Sequence, residues 1–183
     1  SGRSSVEGID FALKRGASAS GRVIDDETGL PISNIKLAAS PPGGDSVSWS
    51  RTDADGYFTL RGLPIGLIEV RTRGQEYIRD RVKVTTVDSQ VAAVPDLRLR
   101  LGATISGRVV DAFTGEPIAD VQLEADGVNG TGSHMHARTD SDGRYVFGGV
   151  APGSYKIKAR TDDQNYIQQY YKDALDWDDA QTV

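Results

Sequence analysis

Two short acidic turns, one histidine pair and one aromatic tail are the places where this sequence could do chemistry. Asp53 and Asp55 sit in Arg51-Thr-Asp-Ala-Asp-Gly56, and Asp140 and Asp142 sit in Arg138-Thr-Asp-Ser-Asp-Gly143. Paired carboxylates beside a glycine corner could enter a Ca²⁺ shell. Ca²⁺ takes about six to eight oxygens, however, and the twelve-position loop with its terminal Glu is absent. The ligand count therefore favours the other role, in which aspartates accept bonds from nearby backbone amides and shape the turn. No cofactor is expected, with Ca²⁺ the single candidate. His134 and His136 alternate, so on a strand both rings would share a face. A third ligand is not evident and the pair adjoins a Gly-rich stretch, which favours a solvated loop over a metal site. Tyr166, Tyr170, Tyr171 and Trp177 could form an aromatic platform, flanked by carboxylates, that stacks on sugar rings. The spacing of Ile167, Tyr170, Tyr171, Ala174 and Leu175 also predicts a short amphipathic helical turn capping a sandwich.

Catalysis has little to draw on. The chain holds two histidines and no cysteine. No Gly-x-Ser-x-Gly elbow and no phosphate loop ending in Lys-Ser/Thr occurs. The protein is therefore expected not to be an enzyme. Its 183 residues carry a net charge of −5, from 21 basic and 26 acidic side chains. That excess is concentrated after Thr161: Asp162, Asp163, Asp173, Asp176, Asp178 and Asp179 face only Lys172. A balanced body with an acidic end excludes the basic stripe that nucleic acid requires. No apolar run is long enough to span a bilayer.

The elements that must position these residues are repeated. Ala17-Ser-Ala-Ser-Gly-Arg-Val23 returns as Ala103-Thr-Ile-Ser-Gly-Arg-Val109, 86 positions later (109 − 23). Thr28-Gly-Leu-Pro-Ile32 returns as Thr114-Gly-Glu-Pro-Ile118 at the same offset. The acidic turns match at 87 (143 − 56), which places one inserted residue in the Gly-rich stretch 127–132. Gly62-Leu-Pro-Ile-Gly66 then matches Gly149-Val-Ala-Pro-Gly153. Between these turns, apolar residues alternate with polar ones, as in antiparallel sheets with one wet face. The inward sets are Ala103/Ile105/Gly107/Val109, Ile35/Leu37/Ala39 with Val121/Leu123/Ala125, and Phe58/Leu60 with Tyr145/Phe147. Ile68/Val70 with Tyr155/Ile157, and Leu97/Leu99/Leu101, complete the pattern. Short alternating strands punctuated by Gly, Pro and Asp predict β-sandwiches.

Ser-Gly-Arg-Val, Thr-Gly-x-Pro-Ile, Thr-Asp-x-Asp-Gly-x-[Tyr/Phe] and Gly-x-x-Pro-Gly-x-Tyr together resemble the carboxypeptidase regulatory-like domain family. The second copy matches throughout. The first departs at the last motif, where Leu63-Pro-Ile-Gly-Leu67 lacks the tyrosine. The resemblance implies an all-β protein of two tandem transthyretin-like (prealbumin-like, immunoglobulin-like) antiparallel sandwiches, related to the B-type repeats of bacterial adhesins. It implies a structural or interaction module at the bacterial cell surface or outside the cell, with no catalytic residues. Adhesin repeats of that type often carry a Lys–Asn isopeptide bond from an early strand. Arg22 and Arg108 stand at that place here and cannot form one.

The expected division is residues 1–16 as the closing strand of a preceding repeat, 17–101 as the first sandwich and 102–183 as the second. Phe11-Ala-Leu13 matches Leu97-Arg-Leu99, so the second sandwich is expected to lack its own last strand. An open edge presents unpaired N–H and C=O groups, which Ile9, Phe11 and Leu13 of the same or a neighbouring chain could fill. Head-to-tail self-association is one expected consequence. The functional expectation is a spacer, stalk or protein-binding repeat of a larger secreted or surface protein. Its partners would be neighbouring repeats, and other surface proteins or glycans. Carbohydrate binding through the tail aromatics and a Ca²⁺-rigidified adhesin stalk are the alternatives.

Overall fold

The computed structural model describes residues 8–74, 76–128 and 134–183. Among them there are fourteen strands and no helix. The first repeat supplies β1 (Ala17–Asp25), β2 (Lys36–Ser40), β3 (Ser48–Arg51), β4 (Tyr57–Leu63), β5 (Gly66–Arg73), β6 (Arg81–Thr86), β7 (Val91–Ala93) and β8 (Leu97–Leu99). The second supplies β9 (Ala103–Arg108), β10 (Gln122–Gly127), β11 (His134–Arg138), β12 (Arg144–Val150), β13 (Tyr155–Arg160) and β14 (Gln169–Tyr170). The chain divides into two compact units. One holds the described residues up to Ile24, Pro31–Thr72 and Arg81–Leu97; the other holds Asp25–Leu30, Arg73–Asp80 and Arg98–Val183. The second unit gathers in the turn after β1 and the loop before β6 through backbone bonds. Asp26 N–H donates to the Leu99 carbonyl at 3.0 Å, Ile78 N–H to Arg100 at 2.9 Å and Gly102 N–H to Glu76 at 2.8 Å.

The same plan serves both repeats. One sheet runs β3-β2-β5-β6 in the first and β11-β10-β13-β14 in the second. Facing it, β4 pairs with β1, as β12 pairs with β9. Here the repeats part. In the first, β1 has further partners in β7, which joins in parallel, and β8. Among the described residues, β9 pairs with β12 alone. The alternating side chains close each interior. Leu37, Leu60, Ile68 and Val70 are fully buried in the first unit. In the second, Val121, Leu123, Ala125, Met135, Phe147, Val150, Tyr155 and Ile157 form the core.

The acidic turn is pinned to the first strand in both copies. Val23 N–H donates to the Gly56 carbonyl, and Val109 N–H to the Gly143 carbonyl, each at 2.8 Å. Both glycines have positive φ, 79° and 72°. A Cβ on either would strike the valine carbonyl, so glycine is required by conformation and by space at once. The threonine ahead of each turn is a buried latch. Thr52 Oγ1 accepts from Ile35 N–H at 2.8 Å. Thr139 Oγ1 accepts from Val121 N–H at 2.9 Å and donates to the Ile118 carbonyl at 2.8 Å.

Several local expectations are corrected. The tail forms no helix: Gln169–Tyr170 is β14, antiparallel to β13, and Asp173 has a φ of 58°, which interrupts helical winding. A segment this short has little helical stability of its own, and the open edge of β13 offers backbone partners instead. His134 and His136 belong to β11 rather than to a loop. Leu101 is exposed, unlike Leu97 and Leu99, because the chain turns away to bridge Tyr77. Ala103 is exposed, and Ile105, Gly107, Val109 and Tyr145 are only half-buried.

Thr139→Val keeps the shape of the latch and removes its oxygen, stranding the buried Val121 N–H. It should lower unfolding free energy by about 1–3 kcal/mol, read by urea denaturation, with Thr139→Ser close to the parent. Equal stability of the valine variant would show that the latch contributes nothing.

Candidate functional site

Each acidic turn uses one carboxylate to hold itself. Asp53 Oδ1 accepts from Asp55 N–H at 3.0 Å and Tyr57 N–H at 2.8 Å. Asp140 Oδ1 accepts from Asp142 and Arg144 N–H, both at 2.9 Å. The backbone carbonyls of Asp55 and Asp142 accept from Arg22 Nε at 2.9 Å and Arg108 Nε at 2.8 Å. Thus the arginine of Ser-Gly-Arg-Val clamps the acidic turn in both repeats. Among the described residues no group of three or more His, Cys, Asp or Glu side chains is arranged to hold a metal ion.

The turn after the first strand is stapled by another aspartate. Asp25 Oδ1 accepts from Thr28 N–H at 2.8 Å and Glu27 N–H at 3.1 Å. Asp111 Oδ1 accepts from Phe113 and Thr114 N–H, at 2.8 and 2.9 Å. Donation by the Thr114 and Phe113 amides, then by the Tyr166 hydroxyl, holds the Asp111 carboxyl below its usual value. Tyr166 is raised by the same bond. Tyr166 is therefore tied to Asp111 at 3.1 Å.

The other tail aromatics behave differently. Tyr170 and Trp177 meet edge to face, with centroids 6.1 Å apart. The Lys156 ammonium lies 4.8 Å from the Trp177 ring centroid and donates to the Trp177 carbonyl. Tyr171 carries Lys172 over its ring at 5.7 Å. So the structure brings Tyr170 and Trp177 together, and gives Tyr166 a separate anchor. Ile9, Phe11 and Leu13 lie in non-strand chain and are largely exposed.

The charged face of β10, β11 and β13 was not singled out by sequence reasoning. Cross-strand register places Glu124 opposite His136 and Lys158, and Asp126 opposite His134 and Lys156. Lys158 Nζ reaches Glu124 at 2.9 Å, Arg160 adds a contact at 3.5 Å, and His134 Nδ1 bonds to Asp126. The two imidazoles meet edge to face at 4.4 Å. The bond from Lys158 holds Glu124 below its usual carboxyl value and raises Lys158 in return. Outward alternation of these charges was legible, but their pairing depends on register, which no spacing in the sequence reveals.

A cleft of about 360 Å³ opens beside the end of β9, lined among others by Val109, Val110, Phe113, Ile118, Tyr166 and Ile167. Its walls are mostly aliphatic and aromatic, with Asp111 and Arg160 among the polar lining residues.

The family model for the carboxypeptidase regulatory-like domain matches residues 18–100 and again 104–173. The chain belongs to this family. The regulatory-like domains thus begin one residue into β1 and one residue into β9. A search of curated proteins finds no match. Among solved structures, the TIE protein of Bacillus anthracis is similar at 16% identity and TM-score 0.37, over 88% of this chain and 32% of that one. A streptococcal ancillary pilin is similar at 14% identity and TM-score 0.38, over 91% of this chain and 57% of the pilin. The shaft pilin SpaA of Lactobacillus rhamnosus GG is similar at 10% identity and TM-score 0.34, over 89% of this chain and 95% of the pilin. The chain thus spans about a third and somewhat over half of the first two.

Because Glu124 is depressed on folding, its contribution is present above the unfolded carboxyl pKa of about 4.3 and is lost as pH falls through the lower folded value. Glu124→Gln should reduce stability at pH 7 by about 1 kcal/mol or less and flatten its fall below pH 5. Urea midpoints across pH 3–7 check this; identical slopes for parent and variant would refute it.

Proposed function

We propose that the chain is a non-catalytic structural and interaction segment of a larger secreted or bacterial cell-surface protein, acting as a spacer or stalk. The observation that carries the proposal is that the acidic turns of both repeats are engaged in closing themselves. Asp53, Asp140, Asp25 and Asp111 accept backbone amides that close turns, and Arg22 and Arg108 clamp those turns. Membership of the regulatory-like family supports the same reading, because it supplies a β scaffold twice in succession. Among the described residues no helix is long and apolar enough to cross a membrane. In this reading the division at residues 17–101 and 102–183 gives two mechanical modules, and their first partners are neighbouring repeats.

The side-chain arrangement also bears on the alternatives. A Ca²⁺-stiffened stalk would need more oxygen ligands than one aspartate pair offers. Glycan stacking would draw on Trp177, whose ring already has the Lys156 ammonium over it.

Single-molecule pulling of the chain between handles tests the proposal. Two separate unfolding events are expected, each releasing roughly 250 Å of contour length, with forces unchanged by EDTA. One merged event would contradict two mechanical modules, and a loss of force in EDTA would restore the metal-stiffened stalk.

A further inference from the structure

Each repeat turns one face of a four-stranded sheet outward, and the two outward faces differ in charge. In the second repeat Glu124 is paired with Lys158 at 2.9 Å and Asp126 with His134. That face is thereby neutralised along its inner strand β10. Counting back 86 positions from these carboxylates gives Ala38 (124 − 86) and Ser40 (126 − 86) on β2. The first repeat therefore has the same face without its two central acids.

What remains there is basic. Register sets Lys36 and Ala38 opposite Arg51 and Trp49, and Glu69 and Arg71 opposite Lys83 and Arg81. Arg71 Nη2 donates to Ser40 Oγ at 2.6 Å, which puts the β2 and β5 members of this set on one side of the sheet. Glu69 is the one carboxylate among the strand residues of this face, and Arg71 Nε lies 3.3 Å from it. Trp49 is 57% exposed, and Leu67, in phase with Glu69, is 49% exposed. Cations around an exposed indole suit a partner that is acidic and apolar at once.

The chain carries such a partner. Its net −5 resides after Thr161, and there Asp173, Asp176, Asp178 and Asp179 are exposed. Among them stand Leu175 and Trp177, 66% and 38% exposed. We propose that the outward face of β3-β2-β5-β6 docks residues 173–179 of a second copy of the chain. Leu175 packs on the Trp49 ring, and the flanking carboxylates meet the cations around it. The corresponding face of the second repeat does not compete, because Glu124 and Asp126 already neutralise it. Charge sets approach and orientation, and the indole supplies the anchor. Face and segment lie in different units, so the contact is heterologous and propagates from copy to copy.

Sedimentation of the full chain over a concentration series tests this. At low salt the mass should climb past dimer with concentration. It should return to monomer at 1 M salt, where the Debye length is about 3 Å. Two charge-reversed chains, Lys36→Glu/Lys83→Glu and Asp178→Lys/Asp179→Lys, change exposed side chains, and their thermal unfolding curves should match the parent. Each should stay monomeric alone. Mixed, they should form a one-to-one dimer, because the intact segment of one meets the intact face of the other. Trp49→Ala should also abolish association. A parent that is monomeric at every concentration overturns the proposal, and retention of that monomer on immobilised heparin would give the face to a foreign polyanion instead. Undiminished association of either reversed chain, or a mixture that stays monomeric, overturns it equally. The pulling experiment is done on isolated molecules, so failure here leaves the mechanical reading standing.

Discussion

The first strand of each repeat must be covered along both edges, and the rest of the structure follows from how that requirement is met. A strand with one neighbour leaves a row of backbone donors and acceptors to water and cannot bury its inward side chains fully. β1 has β4 on one side and β7 with β8 on the other, and Ala17, Ala19 and Val23 are buried. β9 carries the same sequence pattern but pairs with β12 alone among the described residues, and its equivalent side chains are half-buried or exposed. The glycines register the difference. A Cβ at Gly21 would meet Val94 and the Phe58 ring, whereas at Gly107 it would meet only the ring of Tyr145, the counterpart of Phe58. Burial raises the Tyr145 phenol above its usual value, with the nearby Tyr171 adding to the shift.

What stays constant between the repeats is the set of turns, and these carry the family resemblance. Asp53 and Asp140, Thr52 and Thr139, Arg22 and Arg108, Gly56 and Gly143 make the same bonds in each copy at nearly the same distances. These contacts are local or link the turn to the first strand, so they recur in both copies although the strands around them differ. A side chain engaged in this way is poorly placed for reaction, which is the physical basis for reading the module as mechanical.

The fold was legible because its determinants are short in sequence. Alternation set the inward faces of β2, β5, β10 and β13, and Gly-Pro-Asp punctuation set the corners. The failures are equally specific. Helical spacing in residues 167–175 was outweighed by the open edge of β13, where Tyr171 N–H donates to the Ile157 carbonyl at 2.9 Å. Leu101 matched the period of β8 yet leaves the sheet, because periodicity cannot say where a strand stops. The Glu124–Lys158 pair and the parallel pairing of β7 both depend on contacts distant in sequence.

Amide hydrogen exchange on the dilute chain tests the edge requirement most directly. Ser18 N–H donates to Gln90, and the Ser20 carbonyl accepts from Val94 N–H, so these positions face the covered edge of β1. Their counterparts Thr104 and Ser106 face the uncovered edge of β9. The account predicts slow exchange at Ser18 and Ser20 and much faster exchange at Thr104 and Ser106, while Ile105 and Gly107, turned toward β12, remain protected. Equal protection of all four edge amides in a monomeric sample would contradict it.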